Sequence, residues 1–505
     1  MKKINHILLI AILLLTGFAD RQPVSAITTS LSSVETADSC MANTAQMDSA
    51  IAKFTKSSAM AKANIGICIM DLRTGETLAS YKPQTKLIPA SIMKIVTSAA
   101  GLKYLSPNFK FRTFLEYSGD IDNDGTLHGD LIIEGGTDPT LGSQYFNERE
   151  TFIDAAVETV KSWGIRAIEG TIRTKESIRI DQAIPSNWMN SDITEYYGAG
   201  IYSINYNDNL FSLIIDSSGS KVTVADTIPH LASLKIDNQM RRGTQRKGRY
   251  SPIVSRKRNS STLTLSGTIR RMDDPIELVT TMPHPAEGLC FDLKQTLEAE
   301  GILVAGSSMH LDDNSETFRM LSYESPALPE IIHSLLCRSD NMYAEAVFRM
   351  LGQRLGGGTS TGNGSNAVQT ILRQWNINPD GMDIYDGSGL GRANHITPQF
   401  LATVLRSAAR DWNINDIFPS LLPKAGKEGT VKSLLADSPL AGNIALKSGS
   451  MNGVKCYAGY YPAVEPKYAV VLMVNGYRCN YDDLTQEIEQ LFIGLFSSQH
   501  SEQNS

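Results

Sequence analysis

The chain lacks the marks of several large protein classes. Its six cysteines (40, 68, 290, 337, 456 and 479) contain no C-x-x-C pair, so nothing suggests a zinc ribbon or a thioredoxin-like redox motif. Its 8 histidines form no metal-binding spacing and no H-E-x-x-H. No metal and no organic cofactor is therefore expected. The formal charge is only −6 over 505 residues, without a run of basic side chains. Neither nucleic acid nor an acidic membrane surface is an expected partner. Past the N-terminus no apolar run is long enough to span a bilayer, so no stable membrane insertion is expected.

What the N-terminus does have is an export pattern. Lys2 and Lys3 precede an apolar run, Ile7 to Leu15, and Val24-Ser25-Ala26 offers a small-residue cleavage site. Residues 1–26 read as a signal peptide, and the exported protein is expected in the periplasm. No cysteine follows the run directly, so no lipid anchor is suggested. Export permits disulfides without requiring them. Cys68, inside Ile65-Gly66-Ile67-Cys68-Ile69-Met70, reads as a small buried hydrophobe.

Pattern divides the rest. Residues 27–45 are polar and Ser/Thr-rich, and 46–62 suit a helix. Ala63 to Met70 and Thr77 to Tyr81 read as strands joined by an Asp- and Gly-containing turn, and Ser91 to Leu105 reads as a helix behind Pro89. Near the other end, 443–448, 454–461 and 468–475 read as strands, and 484–496 as a closing helix. Two early and three late strands make one five-stranded antiparallel sheet flanked by helices, an α/β (α+β) domain built from both ends of the chain. Between them lie strand-like runs and turn signals, including 131–134, 213–216, 221–224 and 262–265, and a basic, Ser-rich stretch at 240–261 that reads as an exposed loop. The expected division is a catalytic domain over 27–108 and 317–498, an inserted domain over 109–210 and 271–316, and a nested one over 211–270, the inserts mostly β.

Three short motifs carry the chemistry. Ser91-Ile92-Met93-Lys94, Ser339-Asp340-Asn341 and Lys447-Ser448-Gly449 follow one another in the order S-x-x-K, S-D-N, K-[T/S]-G. Each alone is weak. A second S-x-x-K stands at Ser218 to Lys221, in a polar turn, and S-x-N recurs at Ser106, Ser203 and Ser450. Context separates the set from these decoys. Positions 91 and 94 share a helix face, so a neutral Lys94 can take the Ser91 proton. Burial and the charge of Lys447 would keep it neutral. Ser339 can relay a proton to a leaving amine, and Asn341 can bond a substrate amide. Asp340, Ser448 and Gly449 are assigned to the substrate-binding surface, where Lys447 and Ser448 would meet a carboxylate. The backbone N–H groups of Ser91 and Ser450 would form an oxyanion hole. Two further patterns carry less. Gly358 to Gly362 matches G-x-S-x-G but lies among glycines, and Asp120 to Gly125 resembles a calcium loop without its bidentate Glu, since Leu131 stands there. They read as a loop and a hairpin turn.

On these motifs the chain resembles the D-alanyl-D-alanine carboxypeptidase/endopeptidases of the penicillin-binding protein 4 type. Gly135-Gly136-Thr137-Asp138-Pro139-Thr140-Leu141, Asp386-Gly387-Ser388-Gly389-Leu390-Gly391-Arg392 and Ala425-Gly426-Lys427-Glu428-Gly429-Thr430 are similar to further family segments. The resemblance implies a transpeptidase-like domain with two inserted domains. It implies hydrolysis of the terminal D-Ala-D-Ala bond of peptidoglycan stem peptides, or of D-amino-acid cross-links, through an acyl-enzyme on Ser91. β-Lactams would be covalent inhibitors. By the same resemblance Asp192, in Trp188 to Thr194, would bind the free amine of the stem's diamino acid; a solvated loop carboxylate is the alternative. Ser448 stands where the family has Thr, and Gly391 where it has Ser. A β-lactamase and a catalytically silent wall-binding scaffold are the rival readings.

Overall fold

A computed structural model describes residues 34–243, 251–306 and 316–496. The signal-peptide pattern and the polar stretch up to residue 33 lie outside the described residues, as do 244–250 of the basic stretch. Helix α1 (Val34–Lys56) opens the described chain, and the compact body begins at Gln46. Among the described residues no helix is long and apolar enough to cross a membrane.

The expected sheet is present. Its strand order is Ala445–Met451, Val454–Tyr461, Tyr468–Asn475, Asn64–Asp71 and Thr77–Tyr81, antiparallel throughout. Asn64 pairs with Asn475 and Asp71 with Tyr468, so the two chain ends share the middle of the sheet. Both faces are covered, which is why the three central strands are largely apolar. Period-two alternation sends Ile65, Ile67 and Ile69 to one face and Cys68 and Met70 to the other. The first face meets α1 and the closing helix α9 (Tyr481–Phe496), through Met47, Ile51, Phe54, Ile488 and Phe492.

The opposite face carries the helices of the site. α2 (Met93–Leu105) is buried from Met93 to Leu102. A helix apolar all round belongs inside a bundle, and α2 is wrapped by α5 (Leu328–Arg338), α6 (Asn341–Leu355), α7 (Thr361–Gln374) and α8 (Pro398–Arg410). Ser360 of the G-x-S-x-G match caps α7, its hydroxyl accepting from Asn363 N–H.

Among the described residues the inserted segment holds four sheets. Two of them, 318–324 with 112–117, 131–134 and 172–175, and 303–304 with 167–168, 126–128 and 120–121, surround α3 (Phe152–Ser162) and α4 (Pro285–Ala299). Two more, built from 210–281, share a core of Phe211, Leu213, Ile215, Leu263 and Leu265. Sheet pairing runs past the limits expected at 270 and 316. Ile276–Thr281 pairs with Leu210–Asp216, and Phe318–Glu324 pairs with Arg112–Tyr117. The basic stretch is not all loop either, since Ser251–Arg256 pairs with Thr262–Ile269. Its alternation, with Val254 and Arg256 turned inward and Ile253 outward, was obscured in the sequence by flanking charge. Asp122 Oδ1 accepts the N–H groups of Asp124 and Thr126, closing a hairpin turn where the calcium-loop resemblance lay.

Candidate active site

Ser91 sits in a 3₁₀ turn, Ala90–Ile92, that leads into α2. One turn on, Lys94 is fully buried and its ammonium has three acceptors. They are Ser91 Oγ at 3.0 Å, Asn341 Oδ1 at 2.6 Å and the Ser388 carbonyl at 2.7 Å. Two of the three motifs therefore meet on one amine. Burial pushes the Lys94 pKa down to about 8, against the opposing pull of Asp340, Asp386 and Glu345. The neutral form is then roughly a tenth of the total at pH 7, within hydrogen-bond reach of the hydroxyl it would deprotonate.

Ser339 ends α5 in the left-handed conformation (φ 62°, ψ 35°), which turns the chain sharply so that α6 can start at Asn341. The S-D-N stretch is thus both a helix cap and a cleft edge. Asp340 caps α6, accepting from Tyr343 N–H at 3.1 Å. That bond caps the helix, and Asp340 also lines the cleft. The amide of Asn341 is held at both ends, with Oδ1 on Lys94 and Nδ2 donating to the Tyr197 carbonyl at 2.7 Å.

The third motif lies in the edge strand Ala445–Met451. Lys447, expected to meet a carboxylate, is not among the residues lining the cleft. It is wholly buried, donates to the Ser448 carbonyl at 2.7 Å, and is held well below the usual lysine range by burial and the charge of Lys94. Gly449 explains itself by contact. A Cβ there would stand 2.7 Å from Pro89 O and 3.1 Å from both Ser91 N and Ile92 N, so only glycine lets this strand lie against the nucleophile turn. Ser448 Oγ and Thr430 Oγ1 are 2.7 Å apart.

A cleft of about 610 Å³ opens over these groups, lined by Ser91, Asp192, Tyr197, Ser339, Asn341, Thr430, Ser448 and Ser450 among others. Asp192 therefore faces the same space as Ser91. Its short 3₁₀ turn, Asn190–Asp192, and the next, Tyr196–Gly198, belong to the inserted segment. The nested sheets hold that loop. Arg258 donates to the carbonyls of Ile184, Pro185 and Trp188, while Thr280 and Thr281 donate to those of Thr194 and Ile193.

Sequence reasoning missed Glu345, Ser388, Tyr197 and Thr430. Glu345 is buried one helical turn after Asn341, and its Oε1 accepts the N–H groups of Gly387 and Ser388 at 3.0 and 2.9 Å. It thereby anchors the segment whose next carbonyl, that of Ser388, receives Lys94. Burial and the neighbouring Asp386 push its pKa up to about 7. An acid inside the apolar run Met342 to Leu351 was the available signal. Asp386 organises the rest of its segment, accepting from Gly389 N, Gly391 N, Asn394 Nδ2 and Asn187 Nδ2. The Asn187 amide fills the space a side chain at 391 would need, since a Cβ there would lie 1.8 Å from Asn187 Nδ2. This accounts for glycine at that position.

The described cysteines 68, 290, 337, 456 and 479 are free, and Cys68 is buried as expected. The side chain of Cys40 lies outside the described residues. The cleft lining includes neither histidine nor cysteine among the described residues.

Comparison with known proteins follows the same lines. The model of the D-Ala-D-Ala carboxypeptidase 3 (S13) family matches residues 47–493. D-alanyl-D-alanine carboxypeptidase DacB of Haemophilus influenzae is 24% identical over 422 residues, covering 82% of this chain and 86% of that protein. D-alanyl-D-alanine carboxypeptidase of Actinomadura sp. (strain R39) is 25% identical over 436 residues, covering 82% and 78%. The crystal structure of penicillin binding protein 4 from H. influenzae superposes with a TM-score of 0.74 over 89% of this chain and 99% of that one, at 23% identity. The fold is shared.

Proposed function

The chain belongs to the D-Ala-D-Ala carboxypeptidase 3 (S13) family, and from that premise we propose that Ser91 is its nucleophile, acting on the terminal D-Ala-D-Ala bond of peptidoglycan stem peptides. The protein is a serine-type D-Ala-D-Ala carboxypeptidase, a hydrolase. The observation that carries the residue assignment is the Lys94 amine, buried, depressed to about 8 and 3.0 Å from Ser91 Oγ.

In this reading neutral Lys94 accepts the Ser91 proton as Oγ attacks the carbonyl of the penultimate D-Ala. The developing oxyanion is received by the N–H groups of Ser91 and Ser450, a role supported by the strand's close approach at Gly449. The tetrahedral intermediate collapses as the C–N bond breaks. The proton returns through Lys94 or Ser339 to the departing D-Ala amine. Water then attacks the ester with Lys94 again as base. In this reading Ser448 and Thr430, 2.7 Å apart at the cleft, receive the terminal carboxylate, and Asp192 the amine of the diamino acid. Asn341 orients Lys94 as well as facing substrate. β-Lactams mimic the scissile unit and trap Ser91. The inserted segment, 109–324, frames the substrate end of the cleft. An exported, periplasmic location fits both the substrate and the N-terminal pattern.

Fluorescent penicillin followed by a chase separates this reading from its rivals. Label that persists on Ser91, together with free D-Ala released from a diacetylated D-Ala-D-Ala peptide, is expected. Fast loss of label would indicate a β-lactamase, and absence of both signals a silent scaffold. The pH dependence has a definite sign. Only neutral Lys94 is a base, so the acylation rate is lost as pH falls through about 8. It should climb about tenfold per pH unit below that point and level off above it. A flat profile between pH 6 and 9 would remove Lys94 from the role.

A further inference from the structure

We propose that His333, Cys337 and Glu428 form a binding site for a divalent transition metal, zinc best of all, outside the peptidase cleft. The three side chains supply one nitrogen, one sulfur and one oxygen, and their ligand atoms all lie within 4.8 Å of one another. They are the one such group of His, Cys and acid donors among the described residues. A borderline-soft ion that prefers tetrahedral geometry suits this mixed donor set, with three protein ligands and an open fourth position. No metal motif was visible in the sequence because two donors are four residues apart on α5 and the third is far downstream.

The surroundings have the features that prepare such a site. His333 Nδ1 lies 3.2 Å from the Leu421 carbonyl, and Cys337 Sγ is 3.7 Å from both ring nitrogens of His333. A proton on Nδ1 donated to that carbonyl leaves Nε2 as the free donor beside the sulfur, the usual outer-shell arrangement for a ligating imidazole. Glu428 is likewise oriented, since its Oε1 accepts from Lys424 N–H at 2.9 Å. Its second oxygen is left for a cation. Ligand bonds near 2.0–2.3 Å put tetrahedral donors about 3.3–3.8 Å apart, so the donors need to close in by no more than about 1 Å.

The frame is firm. Cys337 and His333 share one helix face at i, i+4 spacing. The turn that carries Glu428 is closed by Glu428 N–H to Lys424 O at 3.2 Å and Gly426 N–H to Val431 O at 3.0 Å. Its next residue, Gly429 (φ +59°), stands against the helix so closely that a Cβ would lie 2.6 Å from Cys337 O. A bound ion would therefore tie the end of α5, two residues before Ser339, to the turn whose Thr430 hydroxyl touches Ser448. Occupancy would stiffen two edges of the cleft at once.

Cobalt titration of the reduced full-length protein tests this. One equivalent should produce a thiolate-to-cobalt charge-transfer band that zinc then abolishes. The band should vanish in Cys337→Ser, and affinity should fall tenfold or more in His333→Ala and in Glu428→Gln. Penicillin labelling of each variant reports its fold. No charge-transfer band in the parent overturns the proposal, and so does a band that survives in Cys337→Ser, which would belong to Cys479 or Cys40. Should Cys337→Ser fail to label, His333→Ala decides, because parental cobalt affinity in that variant also overturns the site.

Discussion

A Ser91→Ala protein should form no covalent penicillin adduct and release no D-Ala, while melting within a few degrees of the parent. The chemistry has no second hydroxyl to fall back on, because the acyl group must be carried by an atom that Lys94 can deprotonate. Loss of an attacking nucleophile removes most of an enzyme's rate, typically ~10⁴-fold or more. Folding is another matter. The Lys94 ammonium keeps Asn341 Oδ1 at 2.6 Å and the Ser388 carbonyl at 2.7 Å after the hydroxyl is gone. A single lost hydrogen bond to a charged group costs only about 1.5–3 kcal/mol, partly offset because Ser91 is half-exposed. Mass spectrometry of penicillin-treated Ser91→Ala is the direct measurement. A retained adduct would place the nucleophile elsewhere.

Gly449→Ala is the second large effect, and it isolates geometry from chemistry. No functional group is removed. The added methyl meets backbone atoms at 2.7–3.1 Å, the carbonyl of Pro89 and the N–H groups of Ser91 and Ile92. Backbone cannot rotate aside as a side chain would, so the strand and the nucleophile turn must separate. Losing alignment of one oxyanion donor typically costs ~10²–10³ in rate, and overpacking costs about 1–3 kcal/mol of stability. The acylation rate should fall by that factor while reversible penicillin binding changes far less. A variant that acylates at the parental rate would mean that the strand does not contribute to the oxyanion hole.

The catalytic sheet was readable from the chain because its strands are long, apolar and bounded by turn residues, as in Val454–Tyr461 and Tyr468–Asn475. The nucleophile helix was readable because apolar residues recur along α2 at helical spacing behind Pro89. Lys94, Asn341 and Lys447 were visible through their motifs, yet the direction of Lys447 was not. Side-chain orientation on an edge strand depends on which neighbouring elements cover it, which no local pattern encodes. Glu345 and the Ser388 carbonyl escaped for a related reason. Glu345 acts through backbone N–H groups 42 and 43 residues away, and backbone groups have no letter in a sequence. The limits of the inserted sheets blurred because their strands are short and half-exposed, as in Ile276–Thr281, so periodicity fades before pairing ends.

The Tyr197 carbonyl that receives Asn341 Nδ2 bears on how such a chain could ever shrink. It is not alone. Arg349 reaches the Gln182 carbonyl, the Tyr343 hydroxyl lies beside Ser143 Oγ, and Asn187 completes the Asp386 cluster. Excising the middle of the polypeptide would strip partners from buried amide, guanidinium and carboxylate groups all at once. A streamlined descendant would have to rewrite those interior positions in the same step. The inserted lobes and the scaffold that hosts them thus share one set of buried polar partners, and neither is complete without the other.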